Sequence, residues 1–251
     1  MSGHNRWAGI KHKKAATDAK KGKVFTKIIR EIVVAAKEGG AQIEHNARLR
    51  KAIEAAKEAN MPQDNIKKAV QRGNGEIPGA VYEEMVYEGY GPAGVALIVE
   101  ITTDNKNRTA SDIRKIFSSH RGNLAETGCV GWMFDRKGYI TVNKSTAVEE
   151  TVMNIALEAG VDDFKSETDS DVYEIITSLA DLDKVKNTLK EKNMEVASAE
   201  ISMIPQTQIA LTGDDASCML KLMNELEEHD DVKNVYANFD ISGEDMEKLD
   251  V

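Results

Sequence analysis

Between Val24 and Gly73 apolar residues recur every three or four positions, the spacing that gathers them on one face of an α-helix. Phe25, Ile28, Ile29, Ile32, Val33 and Ala36 define a first helix, which Gly39-Gly40 ends. A second runs from about Ala47 to Ala59 with Leu49, Ile53 and Ala56 inward. Asn60-Met61-Pro62 then turns into a third, with Pro62 suited to its first position. The third buries Ile66, Ala69 and Val70 and stops at Gly73. Three short amphipathic helices predict a small bundle, and Gly73-Asn74-Gly75-Glu76-Ile77-Pro78-Gly79 reads as a linker.

Beyond the linker, strands and helices alternate. Tyr82–Tyr87 and Val95–Thr102 read as strands around the turn Gly89-Tyr90-Gly91-Pro92, Ser111–Ser119 as a helix burying Ile113, Ile116 and Phe117, and Val130–Phe134 as a core strand. Then come a strand at 138–142, a helix at 147–159, strands near 164–168 and 172–177, a helix at 181–192 and a strand at 195–203. This β-α-β-β-α-β order is that of a ferredoxin-like unit. The strand Gln208–Leu211, helix Ala216–His229 and strand Val232–Phe239 are too few to fold alone, so they complete the sheet begun near residue 80. The reading is an α+β chain: a helical domain at 1–78, a discontinuous α/β domain at 79–136 plus 206–243, an inserted domain at 137–205 and an acidic tail at 244–251.

Charge changes this picture. The net charge is −9, yet residues 1–75 hold 17 basic and 7 acidic residues, leaving 16 basic and 35 acidic for the rest. Such asymmetry points to a polyanionic partner for the first segment, with the acidic body limiting non-specific adhesion. The first thirty residues carry nine Lys or Arg against Asp18 alone, and residues 1–20 offer little to bury beyond Trp7 and Ile10, so they are expected to be partly ordered until a polyanion neutralises them. Trp7 could stack on a base or anchor the tail to the bundle. The second and third helices, joined by a short turn, resemble a helix-turn-helix, and the third would expose Gln63, Asn65, Lys67, Lys68, Gln71 and Arg72. Arg48 joins the same basic set. A second basic island at Thr102–Arg121 holds Lys106, Arg108, Arg114, Lys115, His120 and Arg121; it is either a further nucleic-acid contact or a capped turn and an ordinary helix.

Other chemistry finds little support. Gly89-Tyr90-Gly91-Pro92-Ala93-Gly94 matches GxGxxG, but a strand follows it and Pro92 lacks an N–H, so it reads as a hairpin turn and not a dinucleotide site. The five histidines lack metal-ligand spacing, Cys129 and Cys218 form no CxxC, and no catalytic set is recognisable. The acidic pairs Asp162-Asp163, Asp214-Asp215 and Asp230-Asp231 read as solvated helix ends. Without a signal peptide or an apolar run long enough to span a bilayer, the expectation is a cytoplasmic, monomeric, non-enzymatic protein with no cofactor, metal, membrane or small-molecule substrate.

The runs Gly3-His4-Asn5-Arg6-Trp7-Ala8-Gly9-Ile10-Lys11-His12-Lys13-Lys14-Ala15-Ala16 and Lys20-Lys21-Gly22-Lys23-Val24-Phe25-Thr26-Lys27 resemble the opening of the YebC/PmpR family. So do Asn46-Ala47-Arg48-Leu49-Arg50, Ala59-Asn60-Met61-Pro62, Tyr87-Glu88-Gly89-Tyr90-Gly91-Pro92 and Thr103-Asp104-Asn105-Lys106-Asn107-Arg108-Thr109, with Arg6, Gly9 and Ala47 as small departures. The resemblance implies a helical domain followed by two ferredoxin-like α/β domains. It also implies regulation of gene expression, as a DNA-binding transcription factor or, as described for other members, in translation, including relief of ribosomes stalled on proline runs. By motif match it places functional weight on His4, Arg6, Trp7, Lys11, His12, Lys13, Lys14, Lys20, Lys21, Lys23 and Lys27, with Asn105, Arg108 and Thr109 as a further set. Arg30, Arg48, Lys67, Lys68 and Arg72, and Lys106 beside the second set, complete the candidates. Three functions stay open: a DNA-binding regulator, a ribosome-associated factor gripping ribosomal RNA, and a protein-interaction regulator with an incidental tail. The cleft between the bundle and the α/β domains is the expected nucleic-acid surface, from charge alone.

Overall fold

The first periodic run folds as a long helix, α1 (Asp18–Gly39), which begins before the apolar spacing does because its first turns carry charged and small residues. The computed structural model describes residues 18–168, 170–242 and 245. After α1 come α2 (Ala47–Glu58) and α3 (Gln63–Gly73). Asn46 joins the first two helices. Its Oδ1 accepts from the Leu49 N–H at 2.9 Å as the N-cap of α2, while its Nδ2 donates to the carbonyls of Ala35 and Gly40 at 2.7 and 2.8 Å. One buried amide thereby satisfies groups at both helix ends. Ala47 leaves the start of α2 immediately after this cap. Ile32, Val33, Leu49, Ile53, Met61 and Ile66 close the bundle core, against which Tyr82 packs from beyond the linker. At Gly73, α3 lies so close to α1 that a Cβ would collide with the Val33 carbonyl and sit 2.6 Å from the Ala36 methyl.

The central sheet has the order β3-β1-β2-β9, every neighbour antiparallel: β1 (Glu83–Tyr90), β2 (Ala96–Thr103), β3 (Asn123–Leu124) and β9 (Val232–Ala237). The β1–β2 hairpin turns through Pro92–Gly94, as the Gly/Pro cluster predicted. Between β2 and β3 runs α4 (Lys106–Ser119), and before β9 runs α7 (Gly213–Glu228). Leu97, Val99 and Ile101 of β2 face the core made with these helices, while Ala96 and Ile98 face a second cluster with Val130, Phe134 and Tyr236. Burial on both faces explains why β2 reads as a nearly unbroken apolar run. The strand expected at Gln208–Leu211 does not join this sheet: β8 (Ile209–Ala210) instead forms a separate two-stranded parallel pair with β10 (Phe239–Asp240).

Inserted between β3 and β8 is a second antiparallel sheet, order β5-β6-β4-β7, from β4 (Phe134–Asn143), β5 (Asp163–Lys165), β6 (Val172–Thr177) and β7 (Val196–Pro205). With α5 (Glu149–Ala159) and α6 (Leu182–Glu191) the unit runs β-α-β-β-α-β, the ferredoxin-like order expected. Val152, Ala156, Val185 and Leu189 pack on Ile140, Val142 and Ile175.

Two local expectations fail. The run Val130–Phe134 is no core strand: Gly131–Met133 is a 3-10 turn, and Trp132 is 67% exposed while Phe134 alone begins β4. Alternation of large residues resembles a strand but does not require one. Likewise α4 begins at Lys106, so the polar run before Ser111 is helix cap and first turn.

Glycines at two helical positions give opposite expectations. Gly22 of α1 has nothing within 4 Å of a would-be Cβ, so Gly22→Ala is expected to stabilise by up to about 1 kcal/mol. Gly73→Ala is expected to destabilise by about 1–3 kcal/mol through overpacking against α1. Urea denaturation of both variants measures the difference, and equal signs would contradict the close α1–α3 approach.

Candidate nucleic-acid interface and the ionic junction behind it

The junction between the bundle and the central sheet is built around one carboxylate. Asp231 follows α7 and immediately precedes β9, and is only 3% exposed. Its Oδ2 accepts from Thr103 Oγ1 at 3.1 Å, Arg108 Nη2 at 2.8 Å and Thr109 Oγ1 at 2.6 Å. Its Oδ1 faces Arg30 Nη1 of α1 at 2.8 Å. Its backbone N–H donates to His229 Nδ1 at 3.1 Å and its carbonyl accepts from the Thr102 N–H at 2.8 Å. Burial raises the pKa of this carboxyl, but the Thr109 and Arg108 hydrogen bonds and the Arg30 and Arg108 charges outweigh that and hold it below its ordinary value.

The motif Thr103–Thr109 supplies most of this cage. Asn105 caps α4 by accepting the Arg108 N–H at 3.1 Å and donates its own N–H to Thr103 Oγ1 at 3.0 Å. Arg108 also pairs with Asp104 at 2.9 Å, Thr109 is fully buried, and Lys106 pairs with Glu83. Of the two readings of this stretch, the capped turn accounts for Asn105, Lys106, Arg108 and Thr109.

The basic face of α1 meets the same corner. Lys27 Nζ donates to the Glu227 carbonyl at 2.6 Å, Lys23 Nζ to the Glu228 carbonyl at 3.2 Å, and Arg30 Nη1 to the Asp230 carbonyl. These carbonyls belong to the C-terminal end of α7 and the residues just after it, the end where a helix presents unpaired acceptors and partial negative charge. Arg30 also lies over the Tyr82 ring, 5.5 Å from its centroid. A cleft of 430 Å³ between the elements is lined by Lys23, Arg30 and Arg108 together with Asp112, Glu228, His229, Asp230 and Asp231. The cleft expected to be a basic surface therefore carries four carboxylates, and its cations already have acceptors. Asp231 is also no solvated helix end.

A second cluster lies nearby. Arg48 of α2 binds Glu31 at 2.7 Å, Glu38 at 2.6 Å and Glu84 at 2.5 Å, and Lys233 reaches Glu31 at 2.9 Å and Glu84 at 3.4 Å. Lys233 is the extra residue of a bulge, since Val232 pairs with Ile101 and Asn234 with Glu100. Burial raises the pKa of Glu31 and Glu84, yet Arg48 and Lys233 hold both lowered.

The remaining candidates separate clearly. Lys67, Lys68 and Arg72 are exposed on α3 beside Gln63 and Asn65, and Gln71 is half-buried. Among the described residues, these three cations have no ion-pair partner. Lys20 and Lys21 lie within α1, and His4, Arg6, Trp7, Lys11, His12, Lys13 and Lys14 lie outside the described residues. The sequence reading missed Asn46, Lys233 and Glu88. Glu88 is a buried carboxylate accepting the N–H groups of Gly128, Val130 and Gly131 at 2.8, 2.7 and 2.8 Å; burial raises its pKa, but these bonds leave it lowered. Its one sequence signal is a charged residue within an otherwise buried strand end, beside Gly89.

A basic three-helix bundle clamped by ion pairs to an antiparallel α+β body that carries an inserted ferredoxin-like unit defines the class of protein. Family models for the TACO1/YebC N-terminal domain and for the TACO1/YebC second and third domain match residues 5–76 and 82–239, and the chain belongs to this family. It is 81% identical over 249 residues, 99% of each chain, to a "Probable transcriptional regulatory protein" of Endomicrobium trichonymphae. It is 56% identical over 250 residues, again 99% of each chain, to a protein of the same name from Elusimicrobium minutum. The crystal structure of a conserved hypothetical protein, Aq1575 from Aquifex aeolicus, matches with a TM-score of 0.81 at 44% identity, covering 91% of this chain and 93% of that one. Among the described residues no helix is long and apolar enough to cross a membrane.

Removing Asp231 leaves Arg30 and Arg108 facing a buried hole. Asp231→Ala is expected to cost about 3–5 kcal/mol in urea denaturation. Because the folded pKa is depressed, the contribution is complete above the unfolded value near pH 4 and is lost as pH falls through the folded value. The stability gap between wild type and Asp231→Asn should thus begin to shrink below roughly pH 4; a gap unchanged down to pH 2 would contradict the ionised cage.

Proposed function

We propose that the chain is a non-enzymatic, nucleic-acid-binding regulator of gene expression that contacts duplex DNA through the bundle, with the exposed face of α3 against the duplex. The observation that carries this reading is the basic face of α3: Lys67, Lys68 and Arg72 are exposed beside Gln63, Asp64 and Asn65 and have no ion-pair partner among the described residues, while Arg30 and Arg48 are engaged in holding the bundle to the body. Arg and Lys bind phosphate and guanine edges, and Gln and Asn can read adenine. The turn suits the role. Asn60 takes a positive φ of 57° and Met61 is buried beneath it, so α3 leaves α2 at an angle fixed by the bundle core. The relatives' names support the regulator part of this reading.

A second reading, binding of ribosomal RNA, is favoured by where the cationic weight lies. Of the 17 basic residues in 1–75, the family opening up to Lys27 holds eight, against three on the α3 face. A basic arm suits the irregular, partly unpaired surface of RNA better than a major groove does.

Fluorescence anisotropy with a mixed-sequence duplex of about thirty base pairs tests the first reading. Lys67→Gln, Lys68→Gln and Arg72→Gln together should weaken binding about tenfold near 0.1 M salt and flatten the salt dependence by about three counterions. An unchanged slope would remove α3 from the interface. A preference of wild type for structured ribosomal RNA over the duplex would decide for the second reading.

A further inference from the structure

The cations of α1 that face α7 form a regular array. Lys23, Lys27 and Arg30 are spaced four and three apart, so they share one helix face and extend over about 10 Å of its axis. What they meet is unusual in composition: the carbonyl oxygens of Glu227, Glu228 and Asp230 and the carboxylate of Asp231, all of them acceptors. The carbonyls offer a cation only partial charge, and the Glu228 carboxylate stands farther from Lys23, at 3.8 Å.

We propose that this face of α1 is itself a phosphate-binding surface, occupied in this structure by the C-terminal end of α7, whose oxygens stand in for those of a nucleic-acid backbone. The inference rests on the nucleic-acid reading above and extends it from α3 to α1.

Three features make the exchange feasible. Lys23 and Glu228 are each about half exposed, at 49% and 47%, so their contact is a weak surface pair. Arg30, the most deeply placed of the three, is incompletely satisfied, since its Nε is enclosed without an acceptor among the described residues. Asp231 does not depend on it alone: when Arg30 leaves, Thr103, Arg108 and Thr109 still hold the carboxylate, and no uncompensated charge remains in the body. Where a carbonyl is the present acceptor, a polyanion replaces a partial charge with a full one, and it gains the entropy of released counterions. In the docked state Asp112, Glu228 and Asp230 line the cleft and repel it. The basic face of α1 must therefore separate from the end of α7, while Lys233 still ties Glu31 to the body.

The test uses full-length protein and a mixed-sequence duplex, with affinity and salt slope read by anisotropy. Asp231→Asn, which weakens the hold on Arg30, should bind about tenfold tighter and with a salt slope steeper by two to three counterions. Adding Lys23→Gln, Lys27→Gln and Arg30→Gln to it should abolish that gain. A locked form covers the case in which Asp231→Asn is poorly folded. Lys23→Cys with Glu228→Cys, in a Cys129→Ser, Cys218→Ser background, is bridged by a short bismaleimide and should bind more weakly than the same protein left unbridged. If wild type binds and neither the release nor the bridge changes affinity or slope, the α1 face is a structural dock only and this inference fails while the α3 reading stands. If no form binds duplex or RNA, the nucleic-acid reading fails and this one with it.

Discussion

A buried carboxylate cannot be left unpaired at neutral pH, and that constraint at Asp231 organises the corner where three parts of the chain meet. Its four side-chain donors come from α1, the end of β2 and the first turn of α4, while its own backbone links the end of α7 to the start of β9. Each donor is positioned by something else. Asn105 caps α4 and so aims Arg108 and Thr109; Tyr82 lies beneath Arg30. The polar run Thr103–Thr109 is thereby explained as a cage for one anion, and the bundle is docked by the same anion.

This has a consequence for binding. Positive charge counted along a sequence is an upper limit on what a ligand can use, because some of it neutralises the protein's own acids. The bundle carries a large basic excess, but Arg30 and Arg48 pair with buried or half-buried carboxylates, and Lys23 and Lys27 cap carbonyls at the end of α7. On α3, by contrast, Lys67, Lys68 and Arg72 have no ion-pair partner among the described residues.

The helices of the bundle, the hairpin and the β-α-β-β-α-β unit were legible because each depends on local periodicity and on Gly/Pro punctuation. So was the use of the last strand to complete the first sheet, since β9 pairs with β2. The site was legible only in part. Asp230-Asp231 reads as a solvated pair because nothing local distinguishes a carboxylate that four distant donors will enclose. Arg48 reads as a free cation because Glu31, Glu38 and Glu84 are separated from it in sequence. Trp132 misleads for the opposite reason: residue type alone points a large apolar side chain to the core, whereas a 3-10 turn directs this one outward. Long-range polar pairing has no period, so a pattern reading cannot find it.

Glu88 shows that the device at Asp231 is used twice. Placed near the end of β1, it gathers the N–H groups of Gly128, Val130 and Gly131, the loop through which the chain leaves the central sheet for the inserted unit. β1 and β9 flank β2, so the two carboxylates act on strands either side of the central one. One secures the bundle and the other secures the path to the insertion. The insertion has an apolar seat as well, through Phe134 and Met203 against Ala96, Ile98 and Tyr236. The bundle leans more heavily on ions, with Tyr82 as its link from beyond the linker to an apolar core. An apolar seat is indifferent to a polyanion, whereas an ionic one competes with it directly. Of the two junctions, the ionic one beside the basic bundle is thus the one a polyanion would compete with, on the binding mode proposed above.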